Sequence, residues 1–311
     1  MRRDESDSKP QPDNSYDMIP GYDFALGLTH DVDRPHQSPI HAVYYALRER
    51  NPSRLRGLKP GSNPYWLFDD IMEIEDDLGV RSSFYFLQEQ SMLQRPLEEW
   101  RDSRHWVEHI GRYDIEAPDI HDLIRRLNDG GWEIGLHGSY SSYDKPELLS
   151  EQKATLERIL GDSVVGGRQH CLNMTAPDTW RHHTDLGLQY DSSLGSSSTY
   201  GFEHGYDPIR PFDDEFVVFP LTIMERTLPN VSESIDEAWA ECERLLEEAA
   251  ENEAVMTVLW HPTYYDEEER PGYRRLYRRL IERAQEMGGY VGPLAEIYQS
   301  LEHPVAVDAE R

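Results

Sequence analysis

Strand-like and helix-like patterns alternate along almost the whole chain. Short apolar runs such as 24–28 and 255–260 have the length and composition of buried strands. Longer segments such as 65–78 and 232–250 carry apolar residues at intervals of three or four, which is the spacing of a helix that packs on one face. Regular alternation of the two patterns favours a mostly parallel sheet surrounded by helices. With seven or eight such units, we expect an α/β fold of the distorted (β/α) barrel type rather than an open doubly wound sheet.

The same patterns divide the chain into one domain and two tails. Residues 1–20 are polar and without a period, so we expect a flexible N-terminal tail there and a C-terminal tail at 303–311. Residues 21–302 form the predicted single barrel, in which 89–116 is a long excursion over one end. The predicted strands are 24–28, 82–87, 132–136, 164–165, 188–190, 215–221, 255–260 and 290–291. The predicted helices are 38–50, 65–78, 117–128, 146–160, 177–186, 232–250, 267–287 and 293–301.

Charge limits the partners that this chain can have. Of its 311 residues, 59 are Asp or Glu and 31 are Lys or Arg, which gives a formal net charge of −28. Such acidity argues against binding to nucleic acid or to an anionic membrane. A folded protein adapted to concentrated salt fits better, because molar salt screens the repulsion between carboxylates. We therefore expect a halophilic source.

The sequence also bears on the compartment in which the protein works. No run approaches the roughly 20 apolar residues of a membrane span, and residues 1–10 contain no apolar signal core. Cys171 and Cys242 give neither a disulfide framework nor a cysteine-rich zinc site. We expect a cytoplasmic protein without a membrane span, and the oligomeric state is left open.

The segment Thr29-His30-Asp31-Val32-Asp33 concentrates charge at the end of the first predicted strand. Side chains alternate along a strand, so Asp31 and Asp33 should point to one side and His30 to the other. Two carboxylates that share a space repel each other, share a proton or bind a cation. A turn would also accommodate Asp after a strand, but it would not need the pair. The segment therefore indicates an active-site strand end.

Polar residues follow four further predicted strands. They are His137 and Ser141 after 132–136, Arg168 and His170 after 164–165, Asp191 after 188–190, and His261 after 255–260. In an α/β barrel the C-terminal ends of the strands form one face, where catalytic residues gather. One histidine at a strand end is often structural, but aspartates, histidines and an arginine at five strand ends indicate an active site. Tyr140 and Tyr264 stand beside these residues and are candidates to line its pocket.

In their order and spacing, these segments resemble the motifs of NodB-type polysaccharide deacetylases, or carbohydrate esterase family 4. The resemblance runs from about residue 24 to residue 301. The family's Thr-Phe-Asp-Asp-Gly motif is matched by Thr29 to Asp33, and its His-Ser/Thr-x-x-His motif by His137 to Ser141. Arg168 matches the motif arginine of the family. The Gly-x-x-Tyr-Asp-Ser-Ser motif is matched by Gly187 to Ser193, and the Leu-x-His motif by Leu259 to His261. The Thr-His-Asp-Val-Asp form of the first motif indicates a separate branch of the family.

The resemblance implies a metal-dependent N-deacetylase with a NodB-like barrel. One divalent metal ion, commonly zinc in this family, would bind a water molecule and the carbonyl oxygen of an N-acetyl group. Asp31 would be the general base, and Arg168 would keep it ionised. Asp33 and His137 would be metal ligands. His261 would protonate the departing amine, leaving acetate and a free amino sugar.

One departure from the family pattern affects the metal. Ser141 stands where the family has its second metal-binding histidine, and serine is a poor zinc ligand. We expect His170 to take that place rather than His30, which should point away, although a water molecule could also fill it. The roles of Asp31 and Asp33 could equally be exchanged. Substrate contacts are predicted for Tyr140, Ser141, Asp191 and Tyr264.

Three functions are compatible with these residues. The favoured one is a metal-dependent hydrolase that removes N-acetyl groups from amino sugars of a glycan, glycolipid or sugar precursor. The second is an amidohydrolase of a small non-sugar amide. The third is a non-catalytic carbohydrate-binding barrel with a degenerate metal site, an alternative that Ser141 supports. The expected partner is thus a carbohydrate or another small N-acetylated molecule.

Overall fold

The computed structural model describes residues 19 to 302, except 20, 49, 60, 213 and 214. Both predicted tails therefore lie outside the described residues, apart from Ile19 in the N-terminal one. Ile19 belongs to an apolar cluster that also contains Ala25 and Tyr298. This residue is therefore part of the folded domain rather than of a tail.

Nine parallel strands form one sheet in the described part of the chain. They are β1 (Ala25–Val32), β2 (Ser83–Leu87), β3 (Glu133–Gly138), β4 (Gly166–Gln169), β5 (Tyr190–Asp191), β6 (Val217–Val218), β7 (Leu221–Met224), β8 (Val255–Leu259) and β9 (Tyr290–Gly292). Their order in the sheet is β6-β5-β4-β3-β2-β1-β8-β7, and β9 pairs with the first residues of β1. The hydrogen-bonded strands all run in the same direction, as the alternating pattern predicts.

The connection between β6 and β7 shows that the sheet is curled. These strands lie at opposite ends of the strand order, yet only Phe219 and Pro220 separate them. Three residue steps of extended chain span at most about 11 Å, so the two ends of the sheet lie close together. The predicted distorted (β/α) barrel is thereby confirmed. The single strand predicted at 215–221 was wrong, because Pro220 lacks an N–H group and stands where the chain passes from one end of the sheet to the other.

Nine α-helices lie among the described residues, mostly between the strands. They are α1 (Pro39–Arg48), α2 (Phe68–Leu78), α3 (Ser103–Gly111), α4 (Pro118–Asp129), α5 (Pro146–Leu160), α6 (Asp178–Asp185), α7 (Ile235–Glu251), α8 (Tyr273–Glu286) and α9 (Leu294–Glu302). Gly79 and Gly161 end α2 and α5 in the left-handed conformation, with φ of 67° and 79°. Helix α8 begins later than predicted, after Gly272 with φ of 92°. Within the described ranges, no helix has the length and apolar character needed to cross a bilayer.

Alternation along the strands divides the core into an outer and an inner part. On β1, Leu26 and Leu28 belong to the large apolar core beneath the helices. Ala25 belongs instead to a smaller cluster with Tyr85 and Tyr190 inside the barrel. Helix α9 closes the N-terminal end of the barrel, because its first two backbone N–H groups donate to the side chains of Ser83 and Glu133, each at 3.0 Å. The polar strand ends face the opposite, C-terminal end.

Strand β4 differs from its prediction, which placed the strand at 164–165. It spans Gly166–Gln169, although glycine has a low strand propensity. A side chain at Gly166 would collide with Tyr190, and one at Gly167 with the backbone of Leu136. Close packing inside the barrel therefore requires the two glycines. As a result Arg168 lies within the strand, rather than after it.

Candidate active site

Strand β1 carries the two motif carboxylates to the C-terminal end of the barrel. Asp31 lies within the strand and is buried, whereas Asp33 follows it with 26% of its side chain exposed. His30 points to the opposite face, where its Nε2 lies 3.1 Å from Oε1 of Glu75 in α2. The structure thus places Asp31 and Asp33 on one side of the strand and His30 on the other, as the alternation predicts.

Arg168 fixes the position of Asp31. Its buried guanidinium donates from Nη1 to Oδ1 of Asp31 at 2.8 Å and to Oγ1 of Thr29 at 2.9 Å. Its Nε and Nη2 donate to the carbonyl and hydroxyl oxygens of Ser192 at 2.8 and 2.9 Å. Burial by itself would raise the pKa of Asp31, but the charges of Arg168 and the nearby histidines lower that pKa below its usual value. Asp31 is therefore ionised at neutral pH.

Asp33, His137 and His170 converge on one point. Each offers one ligand atom, and these atoms lie within 4.8 Å of one another. Oδ1 of Asp33 is 3.1 Å from Nε2 of His137 and 3.8 Å from Nε2 of His170. Among the described residues, neither Oδ1 of Asp33 nor Nε2 of His137 has an aligned hydrogen-bond partner, although both atoms are buried. Buried polar atoms without partners are unfavourable, so this arrangement fits a bound cation.

The chemistry of these donors suits zinc or another divalent transition metal. Ligand atoms about 2.1 Å from a tetrahedral zinc ion are roughly 3.4 Å apart, close to the 3.1 and 3.8 Å found here. Nδ1 of His137 donates to the carbonyl oxygen of Arg168 at 2.8 Å, which leaves the lone pair on Nε2, facing Asp33. Nδ1 of His170 lies 3.5 Å from a carboxylate oxygen of Glu108. A carboxylate behind a histidine in this way commonly orients a metal ligand.

His261 is paired with Glu225, which directly follows β7. Its Nδ1 lies 2.9 and 3.1 Å from the two carboxylate oxygens of Glu225. Its Nε2 lies 3.7 Å from Oδ2 of Asp33. Burial by itself would lower the pKa of His261, but the charge of Glu225 raises that pKa to about 9. The ring is therefore protonated at neutral pH, with Nε2–H on the side of the metal-ligand candidates.

Two adjoining cavities meet at this site. Their volumes are about 390 and 450 Å³, which is the range of small-molecule sites. Tyr264 lines the first cavity and Tyr140 the second, so both predicted tyrosines lie where a substrate can reach them. The residues that line both cavities are Asp31, Asp33, Arg104, His170, Cys171, Arg226 and His261.

The other two predicted substrate contacts lie apart from these cavities. Oγ of Ser141 accepts a hydrogen bond at 3.0 Å from Arg95, a residue of the 89–116 excursion that covers it. Asp191 is fully buried towards α6, where it accepts hydrogen bonds from Trp180 at 3.1 Å and from the Ser193 hydroxyl at 2.6 Å. Neither residue lines either of these two cavities, and the predicted contacts of Ser141 and Asp191 with substrate stay predictions.

Three buried carboxylates near the site were not indicated by the sequence. Glu89 accepts a hydrogen bond from the backbone of Tyr140 at 2.8 Å, and burial raises its pKa to about 7. Glu108 lies in α3 behind His170. Glu225 could have been found, because the apolar run 221–224 that precedes it reads as a strand. Glu89 and Glu108, in the 89–116 excursion, carry no such signal, because the sequence does not show which polar residues of this segment are buried.

Comparison with solved structures supports the fold assignment. A proposed polysaccharide deacetylase from Mycobacterium smegmatis has a TM-score of 0.59 and 19% identity, over 91% of this chain and 91% of that chain. Puue allantoinase has a TM-score of 0.58 and 15% identity, over 92% of each chain. Comparison with protein-family models and with curated proteins found no match. At these identities the likeness shows the fold alone, which is the NodB-like distorted barrel.

Proposed function

We propose that this chain is a metal-dependent hydrolase that removes N-acetyl groups from amino sugars of a glycan, glycolipid or sugar precursor. The observation that carries this proposal is the placing of three metal-ligand candidates between a paired base and a paired acid. The residues are the ligands Asp33, His137 and His170, the pair Asp31–Arg168 and the pair Glu225–His261. The fold shared with a proposed polysaccharide deacetylase supports the same class of reaction.

The residues supply each proton transfer that amide hydrolysis needs. A divalent ion held by the three ligand candidates would act as a Lewis acid towards the acyl carbonyl. Asp31, which Arg168 keeps ionised, takes a proton from the attacking water as its oxygen bonds to the acyl carbon. Nε2–H of His261 gives a proton to the nitrogen as the carbon–nitrogen bond breaks. The products are acetate and the free amine.

A small non-sugar amide is the second candidate substrate. It is favoured by the likeness to Puue allantoinase, whose TM-score of 0.58 and coverage of 92% equal those of the deacetylase match within a few per cent. The same base, acid and ligand set would hydrolyse either kind of amide. The residues that line the cavities would decide which of the two kinds of amide binds.

A carbohydrate-binding barrel without activity is the third candidate, because Ser141 removes one expected ligand. The position of His170 argues against it, since His170 brings the number of candidate ligands back to three. Three protein ligands are the usual number in catalytic zinc sites.

The direct test is amide hydrolysis by the purified, zinc-loaded protein in molar KCl, followed as acetate release from N-acetyl sugars and as loss of substrate for cyclic amides, whose ring opening releases no acetate. N-acetylglucosamine, its oligomers and its phosphates form one panel, and small cyclic amides including allantoin form the other. We expect turnover in the sugar panel. Turnover confined to the second panel would support the amidohydrolase instead. Failure in both panels, by a protein that holds zinc, would contradict the proposal.

The variant Asp31→Asn tests the assignment of the base. It should lower kcat by at least about a hundredfold while zinc content stays unchanged, because Asp31 is not among the ligand candidates. Asp122→Asn, on the exposed surface of α4, is the matched control and should keep full activity. If Asp31→Asn stays active, Asp33 is the base and the two roles are exchanged.

A further inference from the structure

Arginine is concentrated around the first of the two cavities. Its lining contains five arginines, which are Arg34, Arg54, Arg104, Arg226 and Arg270. The chain as a whole has 59 acidic against 31 basic residues. A cavity rich in guanidinium groups therefore stands out from the rest of this protein.

The carboxylates that line the same cavity are already engaged. There are five of them, and each has a cationic or metal-site partner. Asp31 pairs with Arg168, Glu225 with His261, Glu108 with Arg104, Glu269 with Arg54, and Asp33 faces the histidines of the proposed metal site. Two of the five arginines are thus neutralised by carboxylates of the cavity itself.

The remaining three arginines have no carboxylate partner among the described residues. Arg34 follows Asp33, and Arg226 follows Glu225, so two of them come directly after residues of the site. Arg270 lies across the ring of Tyr264, with its guanidinium carbon 4.8 Å from the ring centroid. Some exposed arginines elsewhere, such as Arg244 on α7, pair with carboxylates, whereas others, such as Arg101, have no carboxylate partner among the described residues. What distinguishes Arg34, Arg226 and Arg270 is that all three line the same cavity. In so acidic a chain, three unpaired guanidinium groups at one cavity indicate a negatively charged ligand.

We infer that the substrate of the proposed hydrolase carries an anionic group, a phosphate or a carboxylate, which Arg34, Arg226 and Arg270 bind. This inference rests on the proposed function and narrows its substrate class. Planar guanidinium groups bind both kinds of anion with two parallel hydrogen bonds. The cavity volume of about 390 Å³ is sufficient for one amino sugar with such a substituent.

Matched neutral and anionic substrates test the inference. N-acetylglucosamine is compared with its 1- and 6-phosphates, and N-acetylmuramic acid supplies a carboxylate. Rates are measured at the lowest KCl concentration that keeps the protein folded, because salt screens the contacts under test. We expect kcat/KM to be at least about tenfold higher for one of the anionic sugars. The preferred sugar then distinguishes phosphate from carboxylate.

Arginine variants assign the effect to the cavity. Arg226→Gln and Arg270→Gln should each lower the ratio of kcat/KM for the preferred anionic sugar to kcat/KM for N-acetylglucosamine by about tenfold or more. Arg125→Gln on α4, where Arg125 is 60% exposed and 3.8 Å from Asp122, should change neither value. Equal rates for neutral and anionic sugars, unaltered in the variants, would overturn the inference and leave the proposed function intact.

Phosphate binding gives a readout that does not depend on turnover. Zinc-loaded wild type and the double variant Arg226→Gln/Arg270→Gln are titrated with inorganic phosphate against KCl of equal ionic strength. We expect at least about tenfold weaker binding by the double variant. If no sugar is hydrolysed but this difference appears, the proposed function fails and the anion site stands. Equal phosphate affinity in the two proteins would show that Arg226 and Arg270 do not bind the anion, and would contradict the inference.

Discussion

Individual side chains of the site differ in protonation because each has a different charged neighbour. The guanidinium of Arg168 lowers the pKa of the buried Asp31, so this carboxyl group is ready to accept a proton. The carboxylate of Glu225 raises the pKa of the buried His261 to about 9, so this imidazole is ready to donate one. Opposite shifts of this kind let one site supply both a base and an acid at neutral pH.

The charge of Glu225 should therefore control the alkaline limb of the rate profile. His261 must be protonated to act as the acid, so activity falls as pH rises through its pKa of about 9. Glu225→Gln removes the stabilising charge, and the limb should move down towards the ordinary histidine value of about 6.5. At about pH 8 the rate should drop by roughly tenfold or more. The measurement is kcat against pH for the two proteins.

Activity near pH 6 is the internal control for this variant. There His261 is largely protonated in both proteins, so the variant should keep much of its rate. An alkaline limb that does not move would show that His261 is not the acid or that Glu225 does not set its pKa. Glu241→Gln on α7, where 33% of the side chain is exposed, should leave the profile unchanged.

Site residues at strand ends were predictable because strand periodicity alone fixes their direction. This rule placed Asp31 and Asp33 on one side of β1. His137 was expected beside them because it stands at the end of another strand of the same sheet, and the structure brings the three residues together. Asp191 was also expected after a strand, but it lies within β5 and on its outward side, where it accepts a hydrogen bond from Trp180 of α6. The direction of Asp191 was not predictable, because the register of this short strand was not known.

At the scale of secondary-structure elements, the outer face of β1 is held by a buried polar network. Glu75 of α2 accepts hydrogen bonds at 2.7 Å from Trp132 and at 2.8 Å from Tyr277 of α8. Its Oε1 also lies 3.1 Å from Nε2 of His30, on the strand that carries the site. One carboxylate thus joins α2 and α8 to β1, directly beside Asp31.

Glu75→Gln should destabilise the fold. The amide retains the size of the side chain but has only one acceptor oxygen, so at least one buried donor loses its partner. We expect the free energy of unfolding to fall by about 1–3 kcal/mol, measured by urea denaturation in molar KCl. Glu73→Gln is the matched control on the same helix, with 71% of its side chain exposed, and should change stability by less than about 0.5 kcal/mol. Equal effects would contradict a structural role for the network.

Elements were predictable where a periodic pattern met a clear end signal. Helix α5 has the predicted bounds, since proline opens it and Gly161 closes it. Strand β4 was not predictable, because its two glycines are explained only by Tyr190 and Leu136, which are distant in sequence. The same holds for β6 and β7, because nothing local shows that the chain passes from one end of the sheet to the other at Pro220.

At the scale of the whole molecule, negative charge dominates and arginine bridges link neighbouring helices. Arg126 of α4 pairs with Asp69 of α2, and Arg274 of α8 pairs with Asp70, both at 2.7 Å. Such exposed pairs contribute little individually, on the order of 0–1 kcal/mol. These pairs therefore offset little of the repulsion that the net charge of −28 produces. We expect this repulsion to destabilise the folded protein at low ionic strength.

Salt should consequently stabilise the protein. Raising KCl from about 0.2 to about 2 M shortens the screening length and strengthens apolar burial. We expect the melting temperature to rise by roughly 10 °C, corresponding to a few kcal/mol. Sucrose serves as a control, because it favours the compact state without screening charge. A flat or falling curve in KCl would contradict adaptation to concentrated salt.

Zinc content tests the central claim, that Asp33, His137 and His170 hold one catalytic metal ion, most directly. Elemental analysis should find one zinc per chain in the wild type and little in His137→Ala or His170→Ala. Ser141→Ala should keep its zinc, because Ser141 is bonded to Arg95 and is absent from the ligand group. Circular dichroism shows whether each variant is folded. Full zinc content in folded His170→Ala, or its loss in Ser141→Ala, would contradict the proposed site.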